Sequence, residues 1–308
     1  MNPSFKYYSN AKFLITGEYL VLQGALAFAV PLKFGQSLEI YPMVKNELQW
    51  IAIEKGKEWL NFSITQQEIE KQTTKGETKK SFVCFLLNKA KTLNPHFLLN
   101  LGLQIKTVID FNRNWGLGSS SSLINNVAQW AKVNPYELHS LVSNGSGYDV
   151  ACANYCKPIL FRQNGNHPTI YPVDFTTSFT NQIYFIYQGN KQSSDESVNH
   201  FLNVNTFSQS NVDSISSLSK KIYKVKNASD FDLFIEEHEN RISKLLGDSP
   251  IKLKQFPDFK GSIKSLGAWG GDFLMIRSDL KKKEVHKYFS EKGFTTIFSW
   301  DEIILGAN

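Results

Sequence analysis

Apolar and polar positions alternate over short windows through the first half of the chain, and helical spacing takes over in longer windows later. Lys12–Thr16 is apolar and β-prone and is broken by Gly17-Glu18. Leu26–Val30 and Gln36–Tyr41 read as further strands, the latter setting Leu38 and Ile40 against Ser37 and Glu39. Glu47–Ile53 and Glu58–Ile64 form a hairpin about Glu54-Lys55-Gly56-Lys57, and the polar run Gln66–Lys80 reads as a surface segment. Phe82–Leu93 has helical spacing and stops before Asn94-Pro95, and Gly102–Asp110 alternates again.

The second half adds a strand at Gln182–Tyr187 and amphipathic helices at Asn211–Lys226 and Asp230–Leu246, the second capped by Ser229 or Asp230 and stopped by Gly247. A strand follows at Phe273–Ile276, then a helix at Lys281–Lys292 and a last strand at Thr295–Ser299. Strands and helices in both halves predict an α+β protein with two lobes. Lys157-Pro158, Asn164-Gly165 and Tyr171-Pro172 place the boundary near 155–180, so the expected domains are 1–160 and 161–308.

Composition narrows the classes. With 42% apolar and 20% charged residues, the 308-residue chain can bury a core, which excludes a disordered or coiled-coil protein. A net charge of +6, spread along the chain, suits an anionic small-molecule site better than a nucleic-acid stripe. Cys84, Cys152 and Cys156 are too few for a disulfide framework and fit a reducing cytoplasm. Cys152 and Cys156 would share a helix face, but no further ligand completes a zinc set. The six histidines form no metal-binding spacing. Leu20–Leu32, the most apolar stretch, is shorter than the roughly 20 residues that span a bilayer. The expectation is a cytoplasmic protein with a small-molecule partner, without nucleic acid or membrane, and with a homodimer left open.

The sharpest chemical signal is Asn114-Trp115-Gly116-Leu117-Gly118 followed by Ser119-Ser120-Ser121-Ser122. Glycines let the backbone approach a ligand at positive φ, and serines opening a helix present N–H groups and hydroxyls at a positive dipole end. That is a phosphate cradle. It is neither a Walker A loop nor Gly-x-Gly-x-x-Gly, and an ordinary Ser-rich helix cap is the plain alternative. Two more segments bear on it: Lys12–Gly24, with a lysine ahead of Gly17-Glu18-Tyr19, and Ser265-Leu266-Gly267-Ala268-Trp269-Gly270-Gly271-Asp272, with Gly145-Ser146-Gly147-Tyr148-Asp149 between them.

Together these segments resemble the GHMP kinases, the superfamily of galactokinase, homoserine kinase, mevalonate kinase and phosphomevalonate kinase. Lys12–Gly24 is similar to their first motif, Trp115–Ser122 to the nucleotide loop Gly-Leu-Gly-Ser-Ser-Ala, and Gly267–Asp272 to the third motif. Ser146–Asp149 is similar to the Ser-Gly-x-Asp of the mevalonate and phosphomevalonate branch, and Gly189-Asn190-Lys191-Gln192-Ser193-Ser194 to its strand-end Gly-x-x-x-Ser-Thr.

The resemblance implies a two-lobed fold, with an N-terminal ribosomal-protein-S5-like lobe and a C-terminal ferredoxin-like lobe. It implies ATP- and Mg²⁺-dependent phosphoryl transfer to a hydroxyl or phosphate group of a small metabolite, with mevalonate or phosphomevalonate foremost. By resemblance Asp149 is the catalytic aspartate and Lys12 its charge-stabilising partner. Gly116, Leu117, Gly118, Ser119, Ser120 and Ser121 hold ATP, and Ser120 also touches Mg²⁺ together with Glu137. Glu18, Tyr19, Ser146, Gly147, Gly270 and Gly271 meet the acceptor.

Three departures qualify this. Trp269 stands where the family prefers Gly, Ser121-Ser122 replace Ala-Ala, and Asn114-Trp115 replace Pro and a small residue. They keep two other readings in view: a catalytically weak GHMP-like nucleotide- or ligand-binding protein, and a diphosphomevalonate-decarboxylase-like enzyme.

Overall fold

The computed structural model describes residues 2–189, 207–267 and 271–306. By their contacts they fall into two compact units. The first comprises residues 1–11, 34–113 and 117–154. The second comprises residues 12–33, 114–116 and 155–308. Strands Phe5–Thr16 and Ala27–Pro42 contribute residues to both.

In the first unit, strand Leu103–Ile109 pairs antiparallel with Gln36–Pro42 on one side and parallel with Leu48–Glu54 on the other. Lys57–Ile64 closes a hairpin on Leu48–Glu54. A parallel pair needs a crossover, since a tight turn cannot reverse the chain twice. Helices Gln66–Lys71 and Lys79–Leu93 supply it. Leu38, Ile40, Trp50 and Ile105 from the sheet pack on Leu86 and Leu87 of the second helix. Ile124 and Val127 of helix Ser119–Ala131 close the same core.

The second unit carries a four-stranded antiparallel sheet, in the order Ile297–Ser299, Ile183–Tyr187, Phe273–Arg277 and Ser262–Leu266. Helices Gln209–Lys224, Ala228–Leu246 and Lys282–Glu291 accompany it. One core gathers Phe256, Phe259, Leu274, Ile276, Val285 and Phe289. A second gathers Leu20, Ala25, Val212, Ile215, Leu218 and Ile242.

The structure corrects several local expectations. Lys12 is not at a strand start, because strand Phe5–Thr16 begins upstream of the apolar run. The strands expected at Leu26–Val30 and Gln36–Tyr41 are one strand, Ala27–Pro42, since Pro31 and Gly35 are accommodated within it. The surface segment Gln66–Lys80 contains a helix, Gln66–Lys71. Its polar sequence hid a capping box, in which Thr65 accepts from the Glu68 N–H and Glu68 accepts from the Thr65 N–H. The cap of helix Ala228–Leu246 is Asn227, whose Oδ1 accepts the Asp230 N–H. Cys156 lies beyond the end of helix Tyr148–Asn154, so it does not share that helix with Cys152.

Candidate active site

The cradle forms as its residue types require. Gly116 and Gly118 take φ of +68° and +91°, in the left-handed region that L side chains avoid. Gly118 is the N-cap of helix Ser119–Ala131, and a glycine cap offers no side-chain acceptor to the first N–H groups. The partial positive charge of the helix start thus faces outward for an anion. Ser120 is exposed there and Ser119 half-buried, while Leu117 is buried as an anchor.

Within the second unit, Lys12 Nζ donates to the Gly116 carbonyl at 3.4 Å. Asp272 lies against the same glycine: a Cβ built on Gly116 would stand 1.7 Å from Asp272 Oδ2. Trp115 packs on Tyr187, Phe273 and Phe298, with ring centroids 5.4–6.2 Å apart. The ring ahead of Gly116 is therefore held by three aromatic side chains of the second unit.

Asp149 lies in the first turn of helix Tyr148–Asn154 in the first unit. Its Oδ1 accepts the Val150 N–H, and its Oδ2 accepts the Ser121 hydroxyl. Ahead of it, Gly147 takes φ of +84° beside Tyr136 and the buried His139, and the Ser146 hydroxyl accepts the Tyr148 N–H at 3.5 Å. Glu137 stands in the first turn of helix Pro135–Val142, where its N–H and that of Tyr136 donate to Asn134 Oδ1. Among the described residues no three His, Cys, Asp or Glu side chains converge on a metal position. A dedicated protein cage is therefore absent among them. A kinase Mg²⁺ does not need one, because nucleotide phosphates and water provide most of its ligands. The exposed Ser120 hydroxyl fits that role, whereas Glu137 belongs to no cluster of three such side chains among the described residues.

Glu18 and Tyr19 are buried. Tyr19 caps the short helix Leu20–Gln23 at φ +59° and packs with Leu20 and Ala25 against Ile215 and Leu218. Glu18 Oε1 accepts from Lys264 Nζ at 2.5 Å, with the two side chains 4% and 1% exposed. Glu239 lies 3.3 Å from the same ammonium, and His238 Nε2 accepts the Gly17 N–H while lying 3.3 Å from Glu18 Oε2.

Burial pushes the Glu18 carboxyl up, and it pushes Glu239 to about 7. Burial opposes the charged ammonium of Lys264 too, but the two carboxylates outweigh it and its pKa rises. His238 is held well below its ordinary value by burial, with Lys264 and Arg241 adding to the effect. Glu18 makes the shorter contact with the Lys264 ammonium, and Glu239 keeps its proton until near neutrality. Sequence reasoning missed Lys264, His238 and Glu239. Their one signal was a lysine inside an otherwise inward-facing strand that leads into a glycine-rich loop.

In that loop Gly267 takes φ of +88°, Gly271 accepts from Gln188 Nε2 at 2.6 Å, and the Asp272 carbonyl accepts the Gln188 N–H. Gly270 and Trp269 lie outside the described residues, as do positions 190–194 of the strand-end segment. No helix among the described residues is long and apolar enough to cross a membrane.

By sequence, no family model and no curated protein matches the chain. Solved structures do. Methanococcus jannaschii mevalonate kinase is 17% identical over 98% of both chains, with a TM-score of 0.73. Streptococcus pneumoniae phosphomevalonate kinase, solved with phosphomevalonate and AMPPNP, is 16% identical over 96% of this chain and 99% of its own, with a TM-score of 0.72. Lactococcus lactis galactokinase, solved with galactose, is 12% identical over 98% and 94%, with a TM-score of 0.67. These kinases differ in acceptor and share one architecture over nearly their whole length, and this chain has that architecture: it has the GHMP kinase fold.

Proposed function

We propose that the chain is an ATP- and Mg²⁺-dependent small-molecule kinase, with mevalonate or phosphomevalonate as the leading acceptor. The observation that carries the reading is the glycine-capped start of helix Ser119–Ala131, an anion cradle in a chain with the fold of ATP-using kinases. The likeness of fold to a phosphomevalonate kinase solved with AMPPNP supports ATP, and the Ser146–Asp149 segment supports the mevalonate branch.

In this reading the N–H groups of residues 118–121 hold phosphate oxygens. With a hydroxyl acceptor such as mevalonate, Asp149 accepts the hydroxyl proton as the acceptor oxygen bonds to the γ-phosphorus and the bond to the β-phosphate oxygen breaks to release ADP; with phosphomevalonate the attacking atom is a phosphate oxygen. Lys12 balances charge on the transferring group. Ser120 and the nucleotide phosphates would hold Mg²⁺, which when bound would supply positive charge to the transferring phosphate.

A second reading, a nucleotide-binding protein with little catalysis, is supported by Trp269 in the third motif, where the kinases this chain resembles prefer Gly. One experiment separates the two: ADP release from Mg·ATP across mevalonate, phosphomevalonate, diphosphomevalonate, homoserine and sugars. Turnover with one acceptor supports the kinase. Release of inorganic phosphate and CO₂ from diphosphomevalonate marks the decarboxylase, and ATP binding without turnover marks the binding protein.

A further inference from the structure

Ser121 occupies a loop position where the kinases this chain resembles carry alanine, and its hydroxyl has a definite target. It donates to Asp149 Oδ2, while Asp149 Oδ1 accepts the Val150 N–H at 2.9 Å. Both carboxylate oxygens are therefore engaged. Ser121 is 7% exposed, whereas Ser120 beside it is exposed, so the two serines present different surroundings to a ligand.

One helical turn further on, Asn125 Nδ2 donates to Asn154 Oδ1 at 3.0 Å. Positions 121 and 125 lie on one face of helix Ser119–Ala131. They grip the first and last turns of helix Tyr148–Asn154, and Ser9 steadies the second grip by accepting from Asn125 Nδ2 at 2.8 Å. The same helix that opens the cradle thus sets the place and rotation of the Asp149 carboxylate.

We infer that the Ser121 hydroxyl positions Asp149 and does not itself bind nucleotide, the backbone N–H of the residue being left to the phosphate. This rests on the kinase reading, in which Asp149 is the base. The hydroxyl fixes the carboxylate so that one oxygen keeps its aim on the acceptor proton. A base left free to rotate spends less time in reacting geometry, and misplacement by about 1 Å costs on the order of 100-fold in rate.

The test uses the full chain with aspartate ¹³C-labelled at the carboxyl carbon. The Asp149 resonance is identified by its loss in Asp149→Asn. Ser121→Ala should displace that resonance and lower kcat roughly 10- to 100-fold, with KM for ATP and the ATP dissociation constant within two-fold of the parent. Ser121→Thr, which restores a hydroxyl, should return both resonance and kcat toward the parent. An unmoved resonance in Ser121→Ala overturns the inference. So does a weakened ATP affinity with unchanged kcat, which would make the Ser121 hydroxyl a phosphate ligand. The resonance needs no turnover: a displaced resonance in a chain that phosphorylates no acceptor upholds the Ser121 contact and brings down the kinase reading alone.

Discussion

Lys264 Nζ meets Glu18 Oε1 at 2.5 Å with both side chains almost wholly buried. The contact joins the strand that leads into the third glycine-rich loop to the turn that ends the Lys12 strand, both within the second unit. Glu239 and His238, from helix Ala228–Leu246, enclose it. Breaking a buried pair by removing one partner leaves an uncompensated charge, at a cost of about 3–5 kcal/mol. Lys264→Met should lower unfolding free energy by about that much in urea titration. A loss under about 1 kcal/mol would show that the pair holds nothing in place.

The same cluster sets a pH dependence. The Glu239 carboxyl is at about 7 against an ordinary 4.5, so the folded chain binds this proton more tightly than the unfolded one. Its contribution is complete below 4.5 and is lost as pH rises through about 7. His238 runs the other way: its folded pKa is depressed below 6.5, so its contribution is present above that pH and lost on acidification. The parent curve sums these opposed slopes, and Glu239→Gln removes one of them. The stability of the variant relative to the parent should therefore climb between pH 4.5 and about 7 and level off above. A difference that does not change with pH over that window would contradict the protonated Glu239.

Gly116 is the point of the loop least able to accept a side chain. A Cβ there would meet Asp272 at 1.7 Å, at a φ of +68° that strains any L residue by about 1–2 kcal/mol. Gly56, at φ +78° with nothing within 4 Å, carries the same backbone strain in open space. Gly116→Ala should destabilise more than Gly56→Ala in thermal unfolding and should weaken ATP binding, which Gly56→Ala should leave unchanged. Adding Asp272→Ser should recover part of the stability. Equal losses at the two glycines would remove the steric argument.

Gly116, Gly118 and the serines showed themselves because a phosphate cradle needs local residue types in a local order. The strands at Gln182–Tyr187 and Phe273–Ile276 were visible because continuous apolar runs mark buried strands. Helix Gln66–Lys71 was hidden because its stability comes from a cap and one buried residue, Ile69, instead of an apolar stripe. Of the Lys264 cluster only Glu18 was singled out, because its members are separated by up to 246 positions and only the fold brings them together. Ser121 was visible as a residue, but its partner Asp149 emerged only once helices Ser119–Ala131 and Tyr148–Asn154 were packed together.

The proposed role of Asp149 and Lys12 is to drive transfer of the γ-phosphoryl group of ATP to a small acceptor. It is tested most directly by following γ-³²P from Mg·ATP into the best acceptor with the parent, Asp149→Asn, Lys12→Met and the double variant, with ATP affinity measured on each. Loss of the base should slow transfer by about 10²–10⁴-fold, and loss of the lysine by at least as much. ATP affinity in Asp149→Asn should stay close to the parent. Two residues serving one step should also be non-additive, so the double variant should be little slower than the worse single one. Label reaching the acceptor within a few-fold of the parent rate in both single variants would contradict the account.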